Sequence, residues 1–355
     1  MTPDIDISAA LQAKVLEAIA QGRPLQIAGG GSKIFYGRAP QGEALSVTGH
    51  RGVISYEPTE LVITARAGTR LADVEALLAS HNQMLPFEPP HFTANATLGG
   101  AIATGLSGPC RPYTGSVRDF VLGVKVLTGK GEILSFGGQV MKNVAGFDVS
   151  RFMAGSLGTL GILLEVSLKV LPRPESEQTL LFECSALDAI QRMNAWAGQP
   201  LPLSGAVFDG GRLYLRLSGS EAALSAARQT LGGELFPDGT AFWRDVRDHT
   251  YTFFQDDAPL WRLSAPAATP PFDLPGEWLL DWGGAQRWLK TSCAAATIRE
   301  ITAKAGGHAT LFRGGDRQGA VFHPLPPALM ALHRRLKAAF DPHGILNPAR
   351  MYPDV

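Results

Sequence analysis

ATLGGAIATGLSGPCRPYTGSVRDF, residues 96–120, is the most informative segment of this chain, and two further glycine-rich stretches accompany it. These are IAGGGSK (27–33) and KNVAGFDVSRFMAGSLGTLGI (142–162). Each one follows or interrupts apolar, strand-like sequence. Glycine weakens the interior of a strand or helix unless something must come close to the backbone. Three such places in the first half of the chain predict one large, polar, phosphate-bearing ligand held by backbone amides.

The composition describes a large, ordered and electrically neutral protein. The chain has 355 residues, which suits two domains better than one. It is 45% hydrophobic and 18% charged, so it can bury a sizeable core. Lysine plus arginine and aspartate plus glutamate each total 32. This balance argues against a nucleic-acid binder, which needs a basic face, but it allows a local basic pocket.

The cysteines and the apolar segments bear on the compartment. Cys110, Cys184 and Cys293 form no disulfide framework, CxxC motif or cluster-binding spacing, so we expect a reducing compartment. The amino-terminal sequence MTPDIDISAALQAKV lacks the basic and then apolar pattern of a leader. There is no run of about 18 apolar residues that would span a bilayer. We therefore expect a cytoplasmic protein with no direct membrane span, located at the inner face of the membrane only through partners.

Local patterns predict a mixture of helices and strands. Apolar residues at helical spacing indicate a helix over 7–21, and LQIA (25–28) is a short strand leading into the first glycine loop. Further strands follow, and then a helix for which Thr69 is the expected N-cap. In the second half, helices alternate with antiparallel hairpins, which is typical of an α+β domain.

The domain boundary is predicted near 172–177, where prolines end a strongly β-prone run. We predict a first domain over 1–175, a smaller α+β domain over 176–325, and a C-terminal helix and tail over 326–355 that return to the first domain. The second half also contains a cluster of tryptophans, which indicates either core packing or an interface with partner subunits. They are Trp243, Trp261, Trp278, Trp282 and Trp288.

The first glycine loop does not match the common nucleotide-binding motifs. A Rossmann site needs GxGxxG between a strand and a helix, but GGGSK (29–33) is followed by IFYGRAPQG, which is not an amphipathic helix. A Walker A loop, GxxxxGK[ST], is also absent. Consecutive amides in a glycine turn still form an anion-binding nest, to which Ser32 adds a hydroxyl and Lys33 a positive charge. The alternative is a plain turn.

The second stretch strengthens this interpretation. Small residues recur at short intervals over Thr97–Gly100 and Ala103–Gly105, so the segment can run along a diphosphate and a ribityl chain. Arg111 and Arg118 are cations nearby. The alternative is that small residues here serve only tight packing.

Taken together, these residues resemble a known family. ATLGGAIATGLSGP, RDFVLGVKVLTGKGEIL, KNVAGFDVSRFMAGSLGTLGILLEVSLKVLPRP and the terminal DPHGILNPARMYP resemble the FAD-binding domain of the vanillyl-alcohol oxidase/PCMH superfamily. The resemblance implies an α+β fold, in which a PCMH-type FAD-binding domain of two α+β subdomains precedes a smaller α+β cap domain. FAD would extend between the two subdomains.

The resemblance also implies a set of cofactor-binding residues. The first loop and the second stretch would hold the diphosphate and ribityl chain, the third stretch would continue the flavin-side wall, and its end would contact the adenosine. A cation near the carboxyl terminus would stabilise negative charge on the flavin. The residues are Ala28, Gly29, Gly30, Gly31, Ser32, Lys33, Thr97, Leu98, Gly99, Gly100, Thr104, Gly105, Gly108, Gly115, Asn143, Val144, Gly146, Asp148, Gly161, Ile162 and Arg350.

The sequence departs from the family pattern in two ways, which concern the attachment of FAD and the binding of substrate. Some relatives attach FAD through a histidine in the first loop, but this loop has none, so we expect non-covalent FAD; His91 and Cys110 are the remaining conceivable attachment points. Relatives that oxidise 2-hydroxy acids carry an HxGDGNxH-type motif, which is absent from GHATLFRGGDRQGAVFH (307–323). We expect no metal site at His308 and His323. The catalytic residues stay unknown.

Within the superfamily, the chain resembles the FAD-binding subunits of 2-hydroxy-acid (glycolate) oxidase complexes. The resemblance implies that a small 2-hydroxy acid is the substrate of the complex, with a sister FAD-containing dehydrogenase subunit as a partner. No cysteine pattern here can hold a cluster, so an iron–sulfur centre would lie on another partner subunit. Two alternatives stay open. One is a stand-alone FAD oxidase or dehydrogenase of another alcohol, sugar or amine, and the other is a scaffold subunit that has lost the cofactor.

Overall fold

The computed structural model describes residues 3–138 and 148–355. Helices and strands are mixed along both halves of the chain. The helices are α1 (Ser8–Gln21), α2 (Leu71–Ala79), α3 (Leu98–Thr104), α4 (Arg111–Thr114), α5 (Val117–Phe120), α6 (Val149–Phe152), α7 (Ala186–Ala197), α8 (Glu221–Leu231), α9 (Gly239–Asp248), α10 (Ala295–Lys304) and α11 (Pro327–Phe340).

The strands fall into a first group that ends near residue 172 and a second group that follows it. The first group is β1 (Leu25–Ala28), β2 (Glu43–Ser46), β3 (Val53–Glu57), β4 (Val62–Arg66), β5 (Gln83–Met84), β6 (Val121–Leu127), β7 (Ile133–Gly137), β8 (Ile162–Lys169) and β9 (Leu171–Pro172). The second group is β10 (Ser176–Glu183), β11 (Leu203–Asp209), β12 (Arg212–Gly219), β13 (Glu234–Leu235), β14 (Leu260–Ser264), β15 (Glu277–Asp281), β16 (Gln286–Lys290) and β17 (His308–Arg313).

The chain divides into two compact units. Unit 1 comprises Met1–Leu106, Ser116–Pro172 and Arg317–Val355, and unit 2 comprises Ser107–Gly115 and Arg173–Asp316. The predicted boundaries lay at 175 and 325, and the predicted first domain also contained residues 107–115.

Long-range contacts explain why Ser107–Gly115 belongs to unit 2. Helix α4 packs against β11. The indole Nε1 of Trp282 donates to the carbonyl oxygen of Gly108 at 3.0 Å, and the guanidinium of Arg111 lies 4.3 Å from the Trp282 ring centroid. This short segment therefore packs with strands that lie far from it in the sequence.

Unit 1 is built on a five-stranded antiparallel sheet in the order β3-β4-β8-β6-β7. Alternate residues of β8 face opposite sides of this sheet. Leu163 packs with α2 and α3 in one apolar core, whereas Ile162 and Leu164 pack with α1, β1 and β2 in another. Strands β1 and β2 form a separate parallel pair. These two cores correspond to the two small α+β subdomains that the family resemblance implied.

The carboxyl-terminal tail is part of unit 1. Leu25 forms a parallel bridge with Leu346, and its backbone N–H donates to the carbonyl of Ile345 at 2.7 Å. A buried ion pair between Lys337 and Asp341 (2.8 Å) fixes the turn after α11, where the Asp341 carboxylate also accepts from the Leu346 N–H. The tail therefore runs beside β1, the strand that leads into the first glycine loop.

Unit 2 is an eight-stranded sheet of antiparallel pairs in the order β13-β10-β12-β11-β15-β16-β14-β17. Helices α7 and α8 cover one apolar core and α10 covers another. Trp243, Trp261 and Trp288 are buried in this unit, so core packing accounts for these three side chains. Antiparallel sheets with helices added confirm the predicted α+β class.

One local prediction was wrong. The N-cap of α2 is Arg70 rather than Thr69, and no side-chain cap bond is made there. The Thr69 hydroxyl instead accepts from the Gly52 N–H at 2.9 Å and donates to the Arg66 carbonyl at 2.7 Å. Over residues 3–138 and 148–355, no helix combines the length and the apolar character needed to cross a bilayer.

Candidate functional site

Unit 1 contains a cleft of about 880 Å³, counting the solvent at its mouth, which we call the loop cleft. Its walls are the end of β1 with the first glycine loop, the start of α3, the turn before β8, and the carboxyl-terminal tail. Thirteen predicted cofactor-binding residues line it. They are Ala28, Gly29, Gly30, Gly31, Ser32, Lys33, Thr97, Gly99, Gly100, Thr104, Gly161, Ile162 and Arg350.

The first glycine loop presents open hydrogen-bond donors. The backbone N–H groups of Gly29, Gly30, Gly31 and Ser32 have no hydrogen-bond partner within the part of the chain that the structure describes. The loop closes just beyond them, where the Ile34 N–H donates to the Gly31 carbonyl at 3.2 Å. Gly31 has φ +73°, a conformation that favours glycine. Consecutive free amides of this kind form a nest for an anion.

The missing side chains of this loop face protein rather than ligand. A Cβ at Gly30 would overlap the carbonyl oxygen of Asn95, and a Cβ at Gly29 would lie 2.5 Å from Thr97 Oγ1. Glycine is needed at these positions because the loop lies flat against residues 95–97. The close backbone approach that the sequence indicates is therefore, at these two positions, an approach to another segment of the same chain.

The first part of the second stretch forms helix α3 (Leu98–Thr104), a helix that the sequence analysis did not predict. Its first amides are already used: Leu98 N–H donates to the Thr69 carbonyl (2.9 Å), Gly99 N–H to the Ala67 carbonyl (2.8 Å) and Gly100 N–H to Thr97 Oγ1 (3.3 Å). A Cβ at Gly99 would lie 2.6 Å from the Ala67 Cβ. This wall supplies shape to the cleft rather than backbone donors.

The charge of the loop cleft is positive. Lys33 and Arg350 line it, and no aspartate or glutamate lines it among the described residues. Lys33 is only 7% exposed, and its Nζ lies 3.2 Å from Ser32 Oγ and 3.5 Å from the His91 carbonyl. Burial, with a further contribution from nearby Arg317, lowers the pKa of Arg350 to about 10. Arg350 therefore stays protonated at neutral pH, and the cleft suits an anionic group.

Several lining residues were missed by sequence reasoning. Most are apolar or small and carry no local signal of a binding role. The polar exceptions are Gln26 and Asn347, and Asn347 lies three positions before Arg350, which the sequence analysis had already selected. The missed residues are Gln26, Ile27, Ile34, Pro40, Val47, Ala67, Ala103, Leu157, Gly158, Leu163 and Asn347.

Other predicted residues lie away from the loop cleft. Leu98 is fully buried in a core of unit 1, and Gly105 ends α3 with φ +66°. Gly108 and Gly115 belong to unit 2. Asp148 caps α6, where its carboxylate accepts from the Arg151 N–H at 3.4 Å. The predictions for Asn143, Val144 and Gly146 lie outside the described residues.

The conceivable covalent attachment points are engaged elsewhere. His91 Nε2 lies 2.9 Å from the Glu75 carboxylate, and Cys110 is buried in unit 2. Neither side chain lines the loop cleft. Within the described ranges, no group of three or more His, Cys, Asp or Glu residues could hold a metal ion.

Comparisons with known proteins identify the family. A family model described as "FAD binding domain" matches residues 8–137, and one described as "FAD linked oxidases, C-terminal domain" matches residues 314–351. The chain is 49% identical to the Escherichia coli (strain K12) protein "Glycolate oxidase subunit GlcE" over 100% of both chains. The chain belongs to the GlcE family. The predicted resemblance to FAD-binding glycolate oxidase subunits is thus confirmed.

More distant relatives extend this result. The Bacillus subtilis (strain 168) protein "Glycolate oxidase subunit GlcD" is 31% identical over 47% of this chain and 36% of that one. A solved structure of p-cresol methylhydroxylase with substrate bound has a TM-score of 0.71 at 15% identity, covering 98% of this chain and 87% of that chain. The latter shows the fold, and it confirms the predicted PCMH-type FAD-binding architecture.

The loop cleft fits FAD, the cofactor of this family of FAD-dependent oxidoreductases. A diphosphate needs hydrogen-bond donors and positive charge, which the open amides of Gly29–Ser32 and the Lys33 ammonium supply. The remaining walls are largely apolar, as expected where a ligand buries most of its surface. The residues present therefore suit the cofactor that the comparisons imply.

Proposed function

We propose that this chain is the FAD-binding subunit of a complex that oxidises a small 2-hydroxy acid, glycolate. FAD would bind non-covalently in the loop cleft of unit 1, and unit 2 would serve as the cap domain. The flavin would take part in the oxidation or relay electrons from a sister FAD-containing subunit. The electrons would then pass to an iron–sulfur partner subunit, through which the complex would sit at the inner face of the membrane.

Full-length similarity supports the assignment to the complex. The E. coli relative carries the words glycolate oxidase subunit in its name, and the match leaves no part of either chain uncovered. GlcD, a differently named glycolate oxidase subunit, matches only part of this chain. Two kinds of flavin-binding subunit in one enzyme would explain both matches.

The chemistry of the loop cleft supports a cofactor-holding role. Its titratable lining residues, among those described, are Lys33 and Arg350. Their side chains act as hydrogen-bond donors rather than acceptors. Oxidation of a 2-hydroxy acid needs a base for the hydroxyl proton. The lining of the loop cleft therefore suits holding the cofactor, and such a base would have to stand where the reactive ring meets the substrate.

Bound FAD supplies a two-electron acceptor that the side chains of the protein lack. The residues of this chain bind and shield it. Open amides from Gly29 to Ser32 and the Lys33 ammonium would hold the diphosphate, while Ile162 and Leu163, both buried, would exclude water from one wall. Because these residues would hold the diphosphate and shield one wall, the reactive ring of the flavin would be oriented by other groups, beyond the glycine loop.

The purified chain tests the proposal directly. We expect a yellow protein whose colour passes into the supernatant on acid precipitation, because the FAD is not covalently bound. Under anaerobic conditions, glycolate should bleach the flavin of this chain only after the sister and iron–sulfur subunits are added. Bleaching of the isolated chain at the full rate would identify a stand-alone enzyme. A protein that stays colourless with added FAD would contradict the proposal altogether.

A further inference from the structure

The carboxyl-terminal sequence NPAR (Asn347–Arg350), which we call the NPAR segment, reaches the first glycine loop from both sides. The open amides lie at Gly29–Ser32. Asn347 binds the chain before them and Arg350 binds the chain after them. Both residues lie more than 300 positions from the loop along the chain. The sequence alone therefore did not predict that they bind the two ends of the loop.

Asn347 fixes the entry to the loop. Its Oδ1 accepts from the Ile27 N–H at 2.7 Å, and its Nδ2 donates to the Leu157 carbonyl at 2.6 Å. Its own N–H donates to the Leu25 carbonyl at 2.9 Å. The side chain is 7% exposed and the residue has φ +42°. One amide thus joins two walls of the loop cleft, and it uses both its donor and its acceptor to do so.

Arg350 fixes the exit from the loop. Its guanidinium donates to the carbonyls of Ile34 (2.7 Å), Tyr36 (2.6 Å) and Arg38. In return, the Arg38 N–H donates to the Arg350 carbonyl at 2.9 Å, and Arg38 Nε donates to the Ala349 carbonyl at 2.9 Å. Arg350 is 7% exposed. These bonds lock the turn that directly follows Lys33 onto the tail.

A loop held at both ends loses little conformational entropy when a ligand binds, and this raises affinity without a direct contact. We propose that the NPAR segment presets the first glycine loop for the FAD diphosphate, with Asn347 and Arg350 acting as positioning residues. Arg350 would act by binding three backbone carbonyls at once, so the planar, forked shape of its guanidinium would matter more than its charge. The inference rests on FAD occupying the loop cleft.

The test uses Arg350→Lys, Arg350→Ala and Asn347→Gly in the full-length apoprotein. Lysine keeps the charge but cannot span three carbonyls. Glycine at 347 adopts the φ of +42° without strain, adds no charge, and loses both the acceptor for the Ile27 N–H and the donor to the Leu157 carbonyl. Arg334→Lys is the matched control, because Arg334 is exposed and pairs with Asp354 in the same tail. FAD affinity is measured from quenching of flavin fluorescence at low and high salt, and the unfolding midpoint of each apoprotein is recorded.

We expect Arg350→Lys and Asn347→Gly to weaken FAD binding about tenfold or more, with an unchanged salt dependence. Arg334→Lys should leave affinity at the wild-type value. Full affinity in Arg350→Lys with lost affinity and a smaller salt dependence in Arg350→Ala would show a direct charge role and overturn the inference. Unfolding midpoints that fall while affinity stays unchanged would overturn it as well. A wild-type apoprotein that fails to bind FAD would instead contradict the proposed function.

Discussion

The two glycine-rich walls of the loop cleft look alike in sequence and differ in their hydrogen bonds. In both, glycine permits close packing within the protein: Gly30 against Asn95, and Gly99 against Ala67. The amides of the first loop stay open, whereas those at the start of α3 are bonded to residues 67, 69 and 97. Glycine content therefore indicates close packing, and the bonding of the N–H groups indicates which stretch is free to bind a ligand.

The largest effect should come from Gly30→Ala. A Cβ there overlaps the Asn95 carbonyl, so the loop must leave residues 95–97. We expect the free energy of unfolding to fall by about 3 kcal/mol or more, the upper range of overpacking costs. FAD binding should also be lost, because displacement of the loop moves the open amides of Gly29–Ser32 away from the diphosphate. Urea unfolding measures the loss of stability, and flavin fluorescence measures the loss of binding. A variant that keeps wild-type stability would show that Gly30 does not pack against the Asn95 carbonyl.

Lys33→Met should separate binding from stability. It removes one cation from the loop cleft, whose Nζ lies 5.4 Å from the Phe92 ring centroid, while keeping a long apolar side chain. Loss of a hydrogen bond to a charged partner weakens binding by about 1.5–3 kcal/mol. FAD affinity should fall accordingly, with little change in the stability of the apoprotein. Lys130→Met, at the exposed turn between β6 and β7, is the control and should bind FAD normally.

Gly99→Ala should show the reverse pattern. The added methyl group lies 2.6 Å from the Ala67 Cβ and 2.9 Å from its carbonyl oxygen. Overpacking of about 1–3 kcal/mol is partly offset by the better helix propensity of alanine, leaving a destabilisation of about 1 kcal/mol. Measured well below the unfolding midpoint, FAD affinity should stay close to wild type. A large loss of affinity without loss of stability would mean that this wall binds the diphosphate after all.

The smallest expected effect is the dependence of stability on pH that His50 contributes. The His50 carbonyl accepts from the Gly68 N–H at 2.8 Å, and Gly68 lies between the two residues whose carbonyls bind the start of α3. Burial holds the pKa of His50 below its ordinary value of 6.5, so the folded protein keeps it neutral while the unfolded chain takes up a proton. Its contribution to stability is complete above the unfolded pKa and is lost as pH falls below it. Stability should therefore fall slightly as the pH drops through the ordinary value of 6.5.

His50→Asn removes this titration and keeps an acceptor for the Ile7 N–H, which donates to His50 Nδ1 at 3.2 Å. Thermal unfolding of unit 1 should then depend less on pH than in the wild type. An equal dependence in both proteins would show that His50 is not held neutral.

Sequence patterns predicted the local parts of this site and missed the distant ones. The strand over 25–28 and the loop after it were expected from adjacent residues, and the structure places both at the loop cleft. Helix α3 was not anticipated because its glycines suggested a loop, although Thr97 as a cap and Leu98, Ala101 and Ile102 at helical spacing were present.

Long-range packing explains the remaining differences. Asn347 meets Ile27 from 320 positions away, and Gly108 meets Trp282 from 174 positions away. No local periodicity encodes either contact. The family resemblance supplied the cofactor and the PCMH-type fold, but it did not supply the bonds that set the shape of the first loop.

Amide hydrogen exchange of the apoprotein, with and without FAD, distinguishes the two glycine-rich walls of the loop cleft. In the absence of FAD, we expect fast exchange for peptides that cover Gly29–Ser32 and slow exchange for peptides that cover Leu98–Gly100. Added FAD should protect the first set and leave the second unchanged. If protection appears at Leu98–Gly100 while Gly29–Ser32 stays exposed, the first loop does not hold the diphosphate.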